Sequence, residues 1–348
     1  MTIGVLTGGG DCPGLNAVIR AIVRSGLKMG HTLIGIRNGW KGMLDDDTVM
    51  LTREQISGIL HKGGTILGTS RTNPYKIDGG EQKLHAFIEK HGIDALIPIG
   101  GEDTLGVAAK LSASGVNVVG VPKTIDNDLE GTDFTFGFDT AVNIAMEAID
   151  RIHTTAESHN RVMVVEVMGR HAGWIAFYAG ISGGADVILV PEQPFDLDAV
   201  CDKIRRRHQG GKNFSIIVVA EGAKFDTSSL DDKDGSFVLS SMKKDAFGHV
   251  RLGGIGAVLA DEIERRLGFE TRSTVLGHIQ RGGSPSAFDR MLGTRYGIHA
   301  MELVHAGTFG RMVALQGNHI VDIDITAIAS TIKTLDPDLF ALVDYLTE

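Results

Sequence analysis

Near its start the chain reads Thr2-Ile3-Gly4-Val5-Leu6-Thr7-Gly8-Gly9-Gly10-Asp11-Cys12-Pro13-Gly14, an apolar run that leads into a glycine-rich turn. Residues 15–29 then carry apolar side chains at helical spacing. Strand, glycine turn and helix in this order build open α/β sheets, and such a turn can present backbone amides to phosphate. The turn lacks the Lys-Ser/Thr pair of the Walker pattern, and Pro13 stands where the dinucleotide fingerprint needs its third glycine. Two interpretations of the turn therefore remain open: a phosphate-binding site, and a tight turn whose glycines are needed only for positive φ.

Short β-branched runs alternate with amphipathic segments along the rest of the chain. The predicted strands lie near 2–7, 32–36, 94–99, 117–121, 162–167, 186–190, 214–220 and 272–276. The predicted helices include 15–29, 81–91, 103–114, 139–157 and 252–267. This alternation predicts the α/β class with mainly parallel sheets. The polar stretch 224–236 is predicted to be a surface loop.

Composition limits the class of protein. A chain of 348 residues with 43% hydrophobic content can form one large or two medium domains. The presence of only two cysteines argues against a disulfide framework, and no tetrad of zinc ligands occurs in the sequence. The lack of a targeting or membrane-spanning segment predicts a soluble cytoplasmic protein. The net charge of −9 argues against a nucleic-acid or anionic-membrane binder. An anionic substrate therefore needs a local concentration of arginines.

Two acidic motifs follow predicted strands. Lys-Thr-Ile-Asp-Asn-Asp occupies 123–128, and Gly-Gly-Glu-Asp-Thr occupies 100–104. Asp126 and Asp128 can divide two tasks, one on a substrate hydroxyl and the other facing a magnesium ion. Asp126 alone is more often an ordinary turn residue. With Lys123 and glycine turns to contact phosphates, the combination favours phosphoryl transfer.

Cationic residues gather near predicted strand ends in the second half of the chain. They are Arg161, Arg170, His171, Arg272, His278 and Arg281. Ligands collect at strand ends in open sheets, and the arginine fork suits phosphate oxygens. Any one of these residues is more often a solvated or packing group, but together they predict a substrate phosphate.

These motifs resemble those of the bacterial 6-phosphofructokinases over nearly the whole chain. The stretches that carry the resemblance are GGGDCPGLN at 8–16, GGEDT at 100–104, TIDND at 124–128, VMGR at 167–170 and LGHIQRGGSP at 276–285. The resemblance implies the phosphofructokinase fold, with two Rossmann-like three-layer α/β/α domains. It implies a phosphoryl-donor domain of 1–138 plus about 252–305, and a fructose 6-phosphate domain of 139–251 plus about 306–348.

The resemblance also implies the roles of residues around the transferred phosphoryl group. Asp126 is expected to deprotonate the 1-hydroxyl of fructose 6-phosphate, with Thr124 assisting. Mg²⁺ is expected on Asp128 and on Glu102, which stands where the family usually has aspartate. Arg71 and Arg170 are expected to stabilise the phosphoryl group in transfer. The donor-binding residues are expected to be Gly9, Gly10, Asp103, Thr104 and Lys123.

For the sugar phosphate, the resemblance implies a site shared between subunits of a homo-oligomer. His278 and Arg281 of one subunit and Arg161 and Arg272 of its neighbour are expected to hold the 6-phosphate. Met168, Gly169 and Glu221 are expected to contact the sugar.

Two positions indicate the phosphoryl donor. Asp103 and Lys123 stand where the ATP-dependent branch has glycines, and they resemble the pyrophosphate-dependent branch. The carboxylate of Asp103 would occupy the path of a nucleotide and repel its charge, whereas Lys123 can bind the compact pyrophosphate. An ATP-dependent or mixed-donor kinase and a non-catalytic sugar-phosphate or nucleotide sensor remain as alternatives. Sedoheptulose 7-phosphate remains a possible second acceptor.

The resemblance predicts weak effector control. The family's basic effector site retains Arg20, Arg24 and Arg53 in this chain. Basic residues of that site are replaced at Gly210, Phe214 and His153.

Overall fold

A computed structural model of the protein describes residues 1–226, 239–244, 250–329 and 332–346. The strands are β1 (Thr2–Thr7), β2 (Thr32–Ile36), β3 (Thr48–Met50), β4 (Ala95–Gly100), β5 (Val119–Pro122), β6 (Val162–Val167), β7 (Val187–Leu189), β8 (Ser215–Ala220), β9 (Leu239–Lys244), β10 (Val250–Leu252), β11 (Thr271–Val275), β12 (Arg311–Gln316) and β13 (His319–Asp324). The helices are α1 (Leu15–Lys28), α2 (Trp40–Asp45), α3 (Gly80–Lys90), α4 (Glu102–Ala113), α5 (Phe138–His159), α6 (Trp174–Ser182), α7 (Leu197–Gln209), α8 (Ile255–Leu267), α9 (Ala287–Ala306), α10 (Pro337–Phe340) and α11 (Leu342–Leu346).

The first sheet has the strand order β13-β12-β5-β4-β1-β2-β3. Its central strands are parallel, and β3 and β13 pair antiparallel at the two edges. Every residue of β4 is buried, as is nearly all of β1, which explains why both strands read as continuous apolar runs. Helices cover both faces of such a sheet.

The second sheet has the order β11-β6-β8-β7, and all of its pairs are parallel. Strands β6 and β8 are buried along their whole length. A separate antiparallel pair joins β9 and β10. The two mainly parallel sheets confirm the expected α/β fold class.

All eight strands and all five helices named from the sequence are present, with ends that differ by a few residues. The sequence pattern missed α9, whose packing on α1 includes the two glycines Gly293 and Gly297. A Cβ atom at Gly297 would lie 2.7 Å from the carbonyl oxygen of Val18, so only glycine allows this approach. Of the polar stretch expected to form a loop, residues 227–236 lie outside the described residues.

Sheet membership differs from the expected domain division. Segment 252–305 was expected with the first domain, yet β11 pairs with β6 in the second sheet. Segment 306–348 was expected with the second domain, yet β12 pairs with β5 in the first sheet. The reason is that β4 pairs with only one side of β5, and β12 satisfies the backbone hydrogen bonds on the other side.

The amino ends of α5 and α9 cap each other. The hydroxyl of Ser286 donates to Asp139 Oδ2 at 2.5 Å, and the N–H of Thr140 donates to Asp289 Oδ2 at 2.8 Å. Each helix thus supplies acceptors or donors for the first turn of the other. Asp289 is fully buried, and this burial raises its pKa to about 6.

The carboxyl ends of parallel strands position the loops that matter for function. Strands β1, β4 and β5 lead into the glycine turn, the start of α4 and the loop after Pro122. Strands β6 and β8 lead into 168–173 and Glu221. Ligands of open α/β sheets bind at this edge. Within the ranges given above, the helices are too short or too polar to cross a lipid bilayer.

Candidate active site

One cleft collects loops from both sheets. Its lining residues are Gly9, Gly10, Arg71, Gly101, Glu102, Asp103, Thr104, Lys123, Thr124, Asp126, Asp128, Arg170 and Arg281. The residues expected at the donor, the metal and the reacting hydroxyl therefore lie together.

The glycine turn lies close to the first turn of α4. Gly9 has φ +79°, and its N–H donates to the carbonyl of Ser70 at 3.1 Å. A Cβ atom at Gly8 would lie 2.5 Å from Thr104 Oγ1. The positive φ of Gly9 and the close approach of the Thr104 side chain to Gly8 thus account for these glycines without a ligand. Phosphate binding at this turn depends on the side chains around it.

Lys123 reaches into this turn from the end of β5. It is 3% exposed, and its ammonium donates to the carbonyl of Gly10. Burial lowers the pKa of Lys123, while burial raises the pKa of the neighbouring Cys12 to about 12, so this thiol stays neutral. A buried ammonium therefore lies directly against the glycine turn.

Helix α4 brings two carboxylates to the same cleft. Glu102 and Asp103 stand in its first turn, after Gly101 at the N-cap. Acidic residues at this position stabilise a helix through its dipole, which is reason enough for their presence. Both residues also line the same cleft as the glycine turn, so their charges act on any ligand bound there.

One carboxylate oxygen of Asp126 is placed to accept a hydrogen bond from a ligand. The residue is 4% exposed, and its Oδ1 is buried without a hydrogen-bond partner among the residues that the structure describes. Its own N–H donates to Thr124 Oγ1 at 3.0 Å, which fixes the turn that carries it. Leaving a buried polar atom unpaired costs about 1–3 kcal/mol, a cost that a hydroxyl donor from a ligand would remove.

Further carboxylates surround Asp126. The pKa of Asp128 is raised to about 7, first by burial and then by the charge of Asp126. The pKa of Glu221 is also raised to about 7, by burial and again by Asp126. Burial and the charge of Asp126 thus favour the protonated forms of Asp128 and Glu221.

Arg170 enters the cleft from a strained turn after β6. It has φ +51°, which non-glycine residues rarely adopt, and its N–H donates to Glu221 Oε1 at 3.2 Å. The preceding Gly169 has φ +139°, and a Cβ atom there would lie 2.5 Å from the carbonyl oxygen of Ala172. Strain of this kind concentrates at functional sites.

Arg281 lies closer to the glycine turn than the sequence suggested. One of its guanidinium nitrogens, Nη1, donates to the carbonyl of Asp11 at 3.4 Å and touches the position where a Cβ atom of Gly10 would stand. Its neighbour His278 is exposed in the same short helical turn, Gly277–Arg281. Arg281 can therefore contact a ligand at the glycine turn as well as the 6-phosphate expected from the sequence.

Two of the arginines lie at the opposite edge of the second sheet. Arg161 precedes β6 and Arg272 is the second residue of β11, so both stand at the amino ends of parallel strands. Both bind Glu270, at 2.8 and 2.7 Å. Along β6, six residues of strand separate Arg161 from the carboxyl edge, about 20 Å at roughly 3.3 Å per residue, whereas three residues of the shorter β11 follow Arg272, about 10 Å. Within one chain the structure does not bring them to Arg281.

The side chains that replace effector-site arginines have internal contacts. His153 Nε2 lies 2.8 Å from the carbonyl oxygen of Gly183, and its ring packs edge-on against Phe214. Weak effector control stays a prediction, in keeping with this packing.

The sequence motifs missed one network beside the acidic loop. Lys333 hydrogen-bonds to the loop of Asp128, and Trp174 donates its indole N–H to the carbonyl of Lys333 at 3.0 Å. Most acceptors in this network are backbone carbonyls, which leave no signature in the sequence.

Comparison with known proteins agrees with this geometry. The family model described as Phosphofructokinase matches residues 2–304. A pyrophosphate–fructose 6-phosphate 1-phosphotransferase of Amycolatopsis methanolica is 58% identical over 342 residues, 98% of each chain. An ATP-dependent 6-phosphofructokinase 3 of Streptomyces coelicolor is 52% identical, over 96% of each chain.

Solved structures agree as well. Phosphofructokinase from Saccharomyces cerevisiae has a TM-score of 0.80 at 30% identity, covering 99% of this chain and 46% of that longer chain. A pyrophosphate-dependent phosphofructokinase from Marinobacter aquaeolei shares the fold, with a TM-score of 0.81 at 24% identity over 99% of this chain and 91% of that chain. By its sequence motifs, its fold and these matches, the chain belongs to the phosphofructokinase family.

Proposed function

We propose that this protein is a pyrophosphate-dependent 6-phosphofructokinase. It transfers a phosphoryl group from pyrophosphate to the 1-hydroxyl of fructose 6-phosphate and yields fructose 1,6-bisphosphate and phosphate. Relatives named for this reaction are 57–58% identical to it over 98% of the chain. Relatives named as ATP-dependent are 52–55% identical, so family membership alone does not choose the donor.

The observation that carries the donor assignment is the buried ammonium of Lys123 on the glycine turn. Asp103 adds a carboxylate to the same cleft. A nucleotide would have to bring its inner phosphates and ribose past this carboxylate, which repels them. Pyrophosphate is compact, and its charge is compensated by a fixed ammonium that does not need to reorganise.

The reaction follows from the groups around Asp126. Its unpaired Oδ1 accepts the proton of the 1-hydroxyl, and the oxygen so released attacks the nearer phosphorus of pyrophosphate. The bond from that phosphorus to the bridging oxygen breaks, and the electron pair leaves with inorganic phosphate. Arg170 and Arg71 line the cleft and stabilise the charge that develops on the phosphoryl oxygens. General-base catalysis of this kind contributes about 10²- to 10⁴-fold.

The carboxylates of Glu102 and Asp128 suit Mg²⁺, a hard cation that prefers oxygen ligands. Among residues 1–226, 239–244, 250–329 and 332–346 there is no cluster of three or more His, Cys, Asp or Glu side chains that could hold a metal alone. This fits a magnesium ion held by one or two carboxylates together with substrate phosphate. When bound, the ion supplies positive charge to the pyrophosphate oxygens.

The sugar phosphate calls for a second copy of the chain. His278 and Arg281 follow β11 at the carboxyl edge of the second sheet. Arg161 stands at the other edge, about 20 Å away along β6, and Arg272 pairs with the same Glu270 that binds Arg161 there. A fructose 6-phosphate is too short to reach both edges. We infer that Arg161 and Arg272 serve the site of a neighbouring subunit in a homo-oligomer. Met168, Gly169 and Glu221, near Arg170, then contact the sugar.

In this proposal the first sheet carries the donor site and the second sheet carries the sugar-phosphate site, and the enzyme works in the cytoplasm. The test is turnover of purified protein with fructose 6-phosphate and Mg²⁺, with pyrophosphate and ATP offered separately. Pyrophosphate should support turnover and ATP should give little. Efficient turnover with ATP would favour the second candidate, an ATP-dependent or mixed-donor kinase, which the 52–55% identical relatives make a real alternative. Binding of fructose 6-phosphate without turnover on either donor would indicate a sensor.

A further inference from the structure

A segment near the carboxyl end of the chain, 332–335, lies along the loop that carries Asp126. Ile332 pairs with Leu129 in an antiparallel bridge. The N–H of Lys333 donates to the carbonyl of Asp128 at 3.0 Å. This segment, called the clamp segment below, thus provides a backbone partner for a loop that follows β5.

The side chain of Lys333 binds the same loop a second time. Its ammonium donates to the carbonyls of Thr132 at 2.9 Å and Asp133 at 2.6 Å. Burial lowers the pKa of this ammonium to about 8, while the charges of Asp133, Glu130 and Asp128 act to raise it. Hydrogen bonds from a charged donor are roughly twice as strong as those from a neutral one. Lys333 therefore holds the loop at its middle and at its far end.

The opposite side of the clamp segment binds the elements that follow Arg170. Trp174, the first residue of α6, donates its indole N–H to the carbonyl of Lys333 at 3.0 Å, and its ring lies 5.0 Å from the Lys333 ammonium. Glu192 accepts the N–H of Gly173 at 2.9 Å and that of Leu335 at 3.0 Å. The turn of Arg170 is thereby tied to the same four residues.

The two tied loops belong to different sheets. The Asp126 loop follows β5 of the first sheet, and the Arg170 turn follows β6 of the second sheet. The base and the phosphoryl-stabilising guanidinium must keep their mutual distance during transfer, since a misplacement of about 1 Å can cost on the order of 10²-fold in rate. The clamp segment crosses between them and contacts both.

We propose that the clamp segment fixes the Asp126 loop relative to Arg170, and that Lys333 is the positioning residue that does so. This inference rests on the proposed function, because it assigns Asp126 and Arg170 to the chemistry. Lys333 does not touch the substrate in this scheme. It acts through the carbonyls of Asp128, Thr132 and Asp133.

Replacing Lys333 by methionine keeps the aliphatic stem over Trp174 and removes the ammonium. We expect kcat to fall about 10- to 100-fold, with KM for both substrates changed less than about 3-fold, because binding groups stay while their alignment is lost. Lys333→Arg should restore kcat to within about 3-fold of wild type, since a guanidinium can donate to both carbonyls and stack on the indole. The matched control is Lys90→Met, which removes an exposed ammonium that pairs with Asp46, and it should leave kcat within about 2-fold.

A loss of stability alone is separated from positioning by two further measurements. Thermal unfolding is recorded for each variant, and kinetics are measured well below each midpoint. The effect of Lys333→Met is then measured in an Asp126→Asn background. Positioning of the base predicts that the additional loss in kcat shrinks to less than about 2-fold there, because residues that act as a unit are not additive.

Unchanged kcat in Lys333→Met, failure of Lys333→Arg to restore it, or an undiminished effect in the Asp126→Asn background would each overturn the positioning role. Near-normal turnover of Asp126→Asn by itself would instead overturn the base assignment in the proposed function. The two failures are therefore distinguishable.

Discussion

Donor choice gives the sharpest prediction, and Lys123 is the residue to change. Its ammonium is buried on the glycine turn, where it would contact pyrophosphate without competing water. A charge-assisted contact of this kind contributes about 1.5–3 kcal/mol. At about 1.4 kcal/mol per factor of ten, Lys123→Met should lower kcat/KM for pyrophosphate about 10- to 150-fold. KM for fructose 6-phosphate should change far less.

The same reasoning predicts a gain for ATP. Asp103→Gly removes the carboxylate that repels a nucleotide, but Lys123 still fills the phosphate path. Lys123→Gly removes that side chain but leaves Asp103. Only the double variant removes both the repelling carboxylate and the side chain that fills the phosphate path. Its ratio of kcat/KM for ATP to kcat/KM for pyrophosphate should therefore exceed the ratio of the wild type and of either single variant.

Steady-state kinetics with saturating fructose 6-phosphate and Mg²⁺ measure wild type, Lys123→Met, Asp103→Gly, Lys123→Gly and the double variant with both donors. Lys110→Met is a matched control, because Lys110 lies on the same helix as Asp103 but is exposed and packs over Tyr75. It should leave both donors within about 2-fold. A loss below about 3-fold for pyrophosphate in Lys123→Met, or no shift towards ATP in the double variant, would refute the reasoning.

Three further outcomes are expected. Asp126→Asn keeps the shape of the side chain but cannot accept a proton, so forward turnover should fall roughly 10²- to 10⁴-fold with little change in substrate binding, and near-normal turnover would contradict its role as the base. Mixed oligomers of Arg161→Ala and Asp126→Asn subunits should regain activity, because some shared sites then contain neither defect, and inactive hybrids of verified composition would contradict the cross-subunit site. Asp289 has a folded-state pKa of about 6, above the value of about 3.9 in an unfolded chain, so its ionisation should destabilise the fold as pH rises through this interval, by up to roughly 3 kcal/mol. Chemical denaturation at pH 5 and pH 7.5 should therefore show Asp289→Asn gaining on wild type at the higher pH, and a constant difference would contradict the shift.

Much of the fold could be predicted because buried parallel strands are continuous apolar runs. Strand β4 has no polar residue, and in β8 only the first residue, Ser215, is polar. Helix α9 escaped detection because two of the positions that pack on α1 are the glycines Gly293 and Gly297, which weaken its apolar pattern. Sheet membership of β11 and β12 could not be predicted either, since strand pairing depends on free edges rather than on chain order.

The acidic and glycine-rich part of the site was accessible from sequence because its residues stand in short motifs directly after strands. The placement of the arginines at the two edges of the second sheet was not accessible from the sequence. Arg161 and Arg170 flank the same strand, and only the direction of β6 reveals that they lie about 20 Å apart. The tie through Lys333 was hidden because it binds carbonyl groups some 200 residues earlier in the chain.

The return of β12 to the first sheet has a consequence for synthesis of the chain. Strand β5 is complete by residue 122, but β12, its parallel neighbour on the side away from β4, begins at Arg311, after the whole second sheet has been made. Until then a nascent chain exposes the apolar edge of β5, which is a template for pairing with another chain. Closing such a distant contact is slow, because the intervening loop must first be ordered. A protein truncated before residue 311 should thus aggregate rather than fold into an isolated amino-terminal half.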